Sequence, residues 1–460
     1  MSALGFTGEG SGLSSSKPAA GTEGTPRPGF DGPAARRRPP HHSPRPVAPC
    51  RRWVFVATAL LALAPLRGAE PTPARTPSTA VVVTAPQTWD FAADGVTFDS
   101  EFSSARLSRC ERLDDGRYLV VTAPENRPIN PSPWFAFRVR AATPRTITVR
   151  VNCESTRLRY VPKISVDGRA WIALPAEAFT AGPSPDEGTL RLEVGPEPLW
   201  VAAQEMVSLD ALESWSRTLE RLPFVSRAEI GRSRGGRPVY QVLIDGTTAA
   251  ADAGRPGLVV VISRQHPPET TGSLSLMTFI ETLLGDAPRT TAFRQRFAVL
   301  VIPVINPDGV ALGHWRHNLN GVDTNRDWGV FAQPETRLAR DAILAAQQGR
   351  EPVLHLDFHS THDDVFYTQP DSAPSKPAGF TKAWLAGIEQ RVPGYKVNRS
   401  ATSNPTPTTS HNWAHRTFGI PTITYEVGDN SDRHVLRAVA RAAAESMMEQ
   451  LLASPASSPN

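Results

Sequence analysis

Cysteine is scarce: three in 460 residues, at positions 50, 110 and 153. That excludes a small disulfide-framework fold, and the lack of any Cys-x-x-Cys pair excludes a thiolate metal site. Cys50 falls in a leading segment, which leaves Cys110 and Cys153 as one bridge in an exported protein or as two core thiols. No apolar run reaches the roughly 20 residues a membrane-crossing helix needs. No basic stripe recurs in the body of the chain. The net charge of +4 owes much to Arg27, Arg36, Arg37, Arg38, Arg45, Arg51 and Arg52, so nucleic acid is not expected as a partner.

What is present divides the chain by texture. Residues 1–50 are rich in Pro, Gly, Ser, Ala and Arg, without an apolar period, and are expected to be a disordered extension. Residues 51–69 pair Arg51-Arg52 with the run from Trp53 to Ala64, which reads as a secretory signal cleaved after Ala69. The expected location is periplasmic or extracellular, or cytoplasmic if that run is not a signal. Residues 70–86 form a Pro/Thr/Ala linker. Hydrophobic residues make up 40% of the chain, enough for two cores.

Residues 87–205 show apolar/polar alternation, as in Arg117–Thr122, Trp134–Arg140, Thr146–Val151 and Thr189–Val194. A period of two broken by Pro, Gly and Asp turns predicts an antiparallel β-sandwich. Trp134, Phe135 and Phe137 are expected in its core rather than as a ligand platform. Over 206–454 the texture is α/β. Strands are expected at Val239–Ile244, Gly257–Ile262, Phe297–Ile305, Val353–Phe358 and Pro421–Glu426. Helices are expected from Leu209, capped by Ser208, and at Gly272–Leu284, Pro334–Gln348, Gly379–Arg391 and Arg433–Leu452.

The polar constellations gather at strand ends, where open α/β sheets bind ligands. Arg264-Gln265-His266-Pro267-Pro268-Glu269 lies between an expected strand and an expected helix. A His and a Glu three apart on a proline-stiffened turn can aim an imidazole nitrogen and a carboxylate at one point, and zinc accepts both. In a strand over Leu354–Ser360, His355, Asp357 and His359 share one face. His359 stands at the end, within reach of a metal; His355 lies deeper, as a core or supporting residue, and His362 is a further candidate in the loop. Glu426 ends another apolar strand, where a carboxylate must face a metal-activated water or pair with an arginine. Arg316 and Arg326 offer planar guanidinium forks suited to a carboxylate or a developing oxyanion.

Five segments in this order resemble the zinc carboxypeptidase family: His266-Pro267-Pro268-Glu269, Asn306-Pro307-Asp308-Gly309, Gly321-Val322-Asp323-Thr324-Asn325-Arg326, Phe358-His359-Ser360 and Thr424-Tyr425-Glu426. The short gap from Arg316 to Asp323, and the earlier Trp134-Phe135-Ala136-Phe137-Arg138-Val139, look most like the cytosolic-carboxypeptidase branch and its bacterial relatives. The resemblance implies a mixed-sheet catalytic domain at 206–454, preceded by the sandwich. It implies one zinc ion per chain on His266, Glu269 and His359, with Glu426 as general base toward a metal-activated water and then proton donor. Arg316 would stabilise the oxyanion, Asn325 and Arg326 would hold the substrate's terminal carboxylate, and Asp323 would orient His266. The implied substrate is a peptide or protein C-terminus. A zinc amidase or deacylase acting on cell-wall peptides or N-acyl amino acids is the alternative, and a catalytically silent binding protein is an alternative of another class. The tyrosine that pancreatic-type members carry on a loop before the catalytic Glu has no counterpart in residues 398–413, where His411, a small polar residue or nothing takes its part. The whole scheme requires imidazole nitrogens of His266 and His359 within about 5 Å of each other.

Overall fold

The computed structural model describes residues 79–114, 116–154, 156–247, 255–401 and 408–454. The proposed extension, the signal segment and the start of the linker lie outside the described residues. The linker's end is held by the body: Thr79 N–H donates to Arg127 O (2.8 Å) and Val82 N–H to Glu125 O (2.7 Å).

The first half contributes eleven strands. They are β1 (Thr88–Phe91), β2 (Val96–Asp99), β3 (Arg109–Asp114), β4 (Arg117–Thr122), β5 (Ala136–Ala141), β6 (Arg145–Cys153), β7 (Lys163–Ser165), β8 (Ile172–Ala173), β9 (Phe179–Ala181), β10 (Glu187–Val194) and β11 (Leu199–Ala202). Two sheets result, ordered β1-β2-β5-β11-β7-β8 and β3-β4-β6-β10-β9. Strand periodicity decides which side chains turn inward: in β6, Ile147, Val149, Val151 and Cys153 are buried and the residues between them are not. Phe98, Phe137, Val139 and Val201 of one sheet and Tyr118, Val120, Val149 and Leu190 of the other form one apolar core. Trp134 and Phe135 are buried in it as well.

A wholly antiparallel arrangement is corrected in one place, because β4 and β6 run parallel. The chain leaves β4, crosses to the other sheet as β5, and returns in its original direction. Cys110 and Cys153 are buried free thiols. Register pairs Cys110 with Val120, and Val120 with Val151, so the cysteines stand two strands apart. At about 4.8 Å per strand that exceeds disulfide reach.

The second half opens with α1 (Leu209–Leu219), whose N-cap Ser208 hydroxyl accepts from Ala211 N–H (3.2 Å). Then follow β12 (Val225–Arg232), β13 (Pro238–Ile244), β14 (Gly257–Ser263), α2 (Thr270–Thr282), α3 (Pro288–Arg296), β15 (Phe297–Ile302) and α4 (Pro307–Ala311). The remainder is α5 (Pro334–Ala346), β16 (Glu351–Thr361), β17 (Val365–Thr368), α6 (Phe380–Arg391), β18 (Arg399–Ala401), α7 (Ser410–Phe418), β19 (Thr422–Gly428) and α8 (Arg433–Ala453). The strands make one mixed sheet, β12-β13-β15-β14-β16-β19-β17-β18. Its centre, β15-β14-β16-β19, is parallel. Every residue of β14 and β15 is buried, as expected for strands covered on both faces. Val259, Leu354, Leu356 and Phe358 pack with α2, α6 and α8 on one face, and Val260, Leu300 and Ile302 pack with α5 and α7 on the other. Because Leu354, Leu356 and Phe358 face the first core, His355, Asp357 and His359 point the opposite way. Trp315 belongs to the second half in sequence but is buried in the core of the first.

Candidate metal centre and active site

The parallel centre of the sheet brings β14, β16 and β19 side by side with their carboxyl ends together. At the end of β14, Arg264 adopts φ +52°, and the chain turns through Pro267 and Pro268 into α2, with Glu269 at its N-cap position. The helix start lies against the end of β16. A Cβ on Gly272 would sit 2.6 Å from the carbonyl oxygen of His359, so only glycine permits this approach. The hydroxyl of Ser360 accepts from Gly272 N–H (2.8 Å) and fixes the contact.

His266, Glu269 and His359 thereby meet, with ligand atoms within 4.8 Å of one another. Among the described residues no other such metal-binding cluster exists. All three are buried. Nδ1 of His266 lies 2.7 Å from Glu269 Oε1, and Nδ1 of His359 lies 2.7 Å from Glu269 Oε2. Each imidazole has its other nitrogen held by a carboxylate: His266 Nε2 by Asp323 (3.0 Å), His359 Nε2 by Asp357 (2.9 Å). Such support fixes ring orientation and tautomer in metal-ligating histidines. Burial alone would raise the Glu269 carboxyl, but the two imidazoles outweigh it and hold it well below the usual range. Burial would lower His359, but Asp357 and Glu269 outweigh it and raise it well above the ordinary value. Two neutral-capable nitrogens and one permanently charged oxygen converging on one point form a donor set that fits a zinc ion.

Glu426 pairs in register with His359 across β16 and β19. Burial, opposed by His359 and reinforced by Glu269, pushes its carboxyl up to about 7. Its Oε2 is buried and has no hydrogen-bond partner. It faces a cavity of about 350 Å³ that His266, Glu269, Arg316, Asn325 and Arg326 also line. Arg316 Nε donates to Asp323 Oδ2 (2.8 Å). Asn325 is already engaged: its Oδ1 accepts from Ser410 N–H (2.9 Å), and its Nδ2 lies 3.2 Å from His359 Nε2. Arg326 donates to Asn325 O (2.7 Å). A larger groove of about 750 Å³, walled by Phe102, Leu212, Tyr240 and Val304, contains none of the candidate residues.

Residues 212–333 match the family model described as zinc carboxypeptidase. Over those residues the chain is similar to zinc carboxypeptidases. Among curated relatives, cytosolic carboxypeptidase 2 of Danio rerio is 36% identical over 141 residues, 29% of this chain and 20% of that protein. Cytosolic carboxypeptidase 6 of Caenorhabditis elegans is 24% identical over 317 residues, 63% of this chain and 68% of that protein. The chain therefore spans only a fifth of the first of these. A metallo-carboxypeptidase from Burkholderia cenocepacia superposes with a TM-score of 0.66 at 18% identity, covering 77% of this chain and 98% of that one. A metallo-carboxypeptidase from Pseudomonas aeruginosa gives 0.62 at 17%, covering 77% and 98%. At these identities the likeness is one of fold.

Around this site several contacts were not anticipated. Asp357 also accepts from Gln265 Nε2 (2.6 Å) and from the Ser410 hydroxyl. Its signal was available, an aspartate two residues before His359 on one strand face. Asn130, Ser132 and Arg159 of the first half line the same cavity, and no motif marks them. Arg159 pairs with Asp429 (2.9 Å). Tyr367 on β17 also lines the cavity, so a phenol stands there from a strand rather than from residues 398–413. His411 lines it too; its Nδ1 lies 3.0 Å from Thr424 Oγ1, and burial pushes the ring down to about 4. His355 is buried against Trp328 with both nitrogens unpartnered, and exposed His362 is outside the ligand cluster.

Proposed function

We propose that the chain is a zinc-dependent metallocarboxypeptidase that hydrolyses the last peptide bond of peptides or proteins. The observation that carries this reading is the unpartnered Oε2 of Glu426 beside the His266–Glu269–His359 cluster, in a cavity lined by three arginines, Arg159, Arg316 and Arg326. A single zinc ion held by His266, Glu269 and His359 would supply Lewis acidity toward water and the scissile carbonyl.

The protein's own groups do the rest. Glu426 accepts the proton of the attacking water and returns it to the departing amine, so the C–N bond breaks as the new C–O bond is completed. Its raised pKa suits both transfers. Arg316 donates to the oxyanion, and its Nε–Asp323 bond limits its motion. Arg326 and Asn325 receive the substrate's terminal carboxylate, which confines attack to the last bond. Asp323 and Asp357 hold the two imidazoles. We take the first half as a β-sandwich domain over 87–205 that forms one wall of the groove, a reading supported by its shared core and by Arg159.

The test is peptide hydrolysis with free and with amidated C-termini, each with and without a chelator. Cleavage of free C-termini alone, lost on chelation, is expected. Equal cleavage of amidated peptides would favour the amidase reading and remove the carboxylate role of Arg326. An exported location rests on residues 51–69, whereas the curated relatives are named cytosolic. Fractionation of the native host decides between them: a processed chain outside the cytoplasm supports export.

A further inference from the structure

We propose that Glu125, in the segment between β4 and β5, is a positioning residue for the metal centre and acts through Arg316. The proposal rests on the metallocarboxypeptidase reading above for what the centre does, but not for how Glu125 is tested.

Glu125 is fully buried, with 0% of its surface exposed. A carboxylate withdrawn from water is destabilising unless donors surround it. Here the donors are three consecutive backbone amides of the second half. Trp315 N–H donates to Oε2 (2.7 Å), and Arg316 N–H (3.0 Å) and His317 N–H (2.6 Å) donate to Oε1. A negative group cradled by successive amides is a strong, directional contact. Arg106 and His314 are the cationic or titratable side chains that act on it.

The Trp315–Gly321 stretch has no regular secondary structure, so these contacts decide its path. Trp315 sits in the first half's core and its indole donates to Trp134 O (3.0 Å). Nδ1 of His317 lies 2.7 Å from Asn126 Oδ1, and Asn126 Nδ2 donates to Gly321 O (3.2 Å). Between these two anchors Arg316 turns toward the cavity. Its Nε reaches Asp323, and Asp323 reaches His266. Glu125 is thus three hydrogen bonds from His266, the first of them to the Arg316 backbone amide, at a sequence distance of 191 residues from Arg316.

Glu125→Gln keeps the shape and removes acceptor capacity. A glutamine oxygen at the Oε1 position would leave its NH₂ facing Trp315 N–H, donor against donor. The loop must then shift, and Arg316 with it. Loss of a residue that orients a metal ligand typically costs 10–100-fold in metal affinity or activity.

The experiment is a double-mutant cycle in the full chain: wild type, Glu125→Gln, Arg316→Ala and the pair. Zinc affinity is read by chelator competition and kcat/KM on a peptide with a free C-terminus. Glu125→Gln is expected to lower both by about 10-fold in the wild type and by less than about 2-fold in the Arg316→Ala background. An equal loss in both backgrounds would make Glu125 merely structural and overturn the proposal, as would no loss in either. If the wild type cleaves no peptide, the proposed function fails, but the zinc cycle still decides the case for Glu125. Should Glu125→Gln not fold, Glu125→Asp keeps the charge and shortens the arm by one methylene. In the same cycle, a loss confined to the Arg316 background supports the proposal, and an equal loss or none overturns it.

Discussion

Replacing Glu426 by glutamine should make the metal-free protein more stable at alkaline pH and sharply slow hydrolysis by the zinc-loaded protein. The carboxyl is raised from an ordinary value of 4.5 to about 7, chiefly by burial. Below pH 4.5 folded and unfolded chains both hold the proton, and the residue contributes nothing to pH dependence. Between 4.5 and 7 the unfolded chain releases it and the folded chain does not, so stability falls as pH rises. Above 7 the full penalty applies. At about 1.4 kcal/mol per pKa unit the penalty is at most about 3.5 kcal/mol, less whatever the open cavity relieves. Urea unfolding of chelator-treated wild type and Glu426→Gln at pH 4.5 and pH 8 measures it. The variant should gain about 1–3 kcal/mol at pH 8 relative to its difference at pH 4.5. Bound zinc should shrink the gain, because a cation favours the ionised carboxylate. Hydrolysis should fall by a factor of about 10²–10⁴, the usual weight of a general base. A pH-independent stability difference, or a variant less stable at pH 8, would refute the picture of a buried, unpaired base.

Asp323→Asn should weaken zinc binding by about 10–100-fold in chelator competition; unchanged affinity would remove Asp323 from the support of His266. Arg326→Ala should raise KM for peptides with free C-termini in steady-state kinetics, and an unchanged KM would remove Arg326 from carboxylate binding. Gly272→Ala forces a Cβ to 2.6 Å from His359 O; about 1–3 kcal/mol of stability should be lost, together with zinc affinity, and a fully stable, zinc-tight variant would disprove the close packing. Phe137→Ala should cost about 3–5 kcal/mol, measured as a shifted urea midpoint.

The second half was legible where one physical signal dominated. Uniform apolar runs marked β14 and β15, and alternation in Leu354–His359 foretold that Leu354, Leu356 and Phe358 would enter the apolar core while His355, Asp357 and His359 turned away from it. Ser208 announced the start of α1 through its hydroxyl. α3 was missed because Pro288–Arg296 is mostly polar with no apolar period, and β12 because its exposed edge residues show no clean alternation. The parallel β4–β6 pair could not be read, since it depends on the intervening strand joining another sheet. The convergence of the candidate ligands was legible because His266 and Glu269 are neighbours in sequence and His359 ends an apolar strand. Arg159 and Glu125 were not, because Arg159 lines the cavity and Glu125 holds the Arg316 amide from the other half of the chain, and nothing local distinguishes either from an ordinary charged residue.

The two buried thiols bear on where such a chain can work. Cys110 and Cys153 are out of bridging range, and burial keeps each protonated, Cys153 pushed up to about 12 and Cys110 higher. Neither is a ready nucleophile, so neither invites oxidation or shuffling. The folded body therefore needs no oxidase to mature and no reductant to survive. Glutathione-rich and oxygen-exposed surroundings are equally tolerable to it.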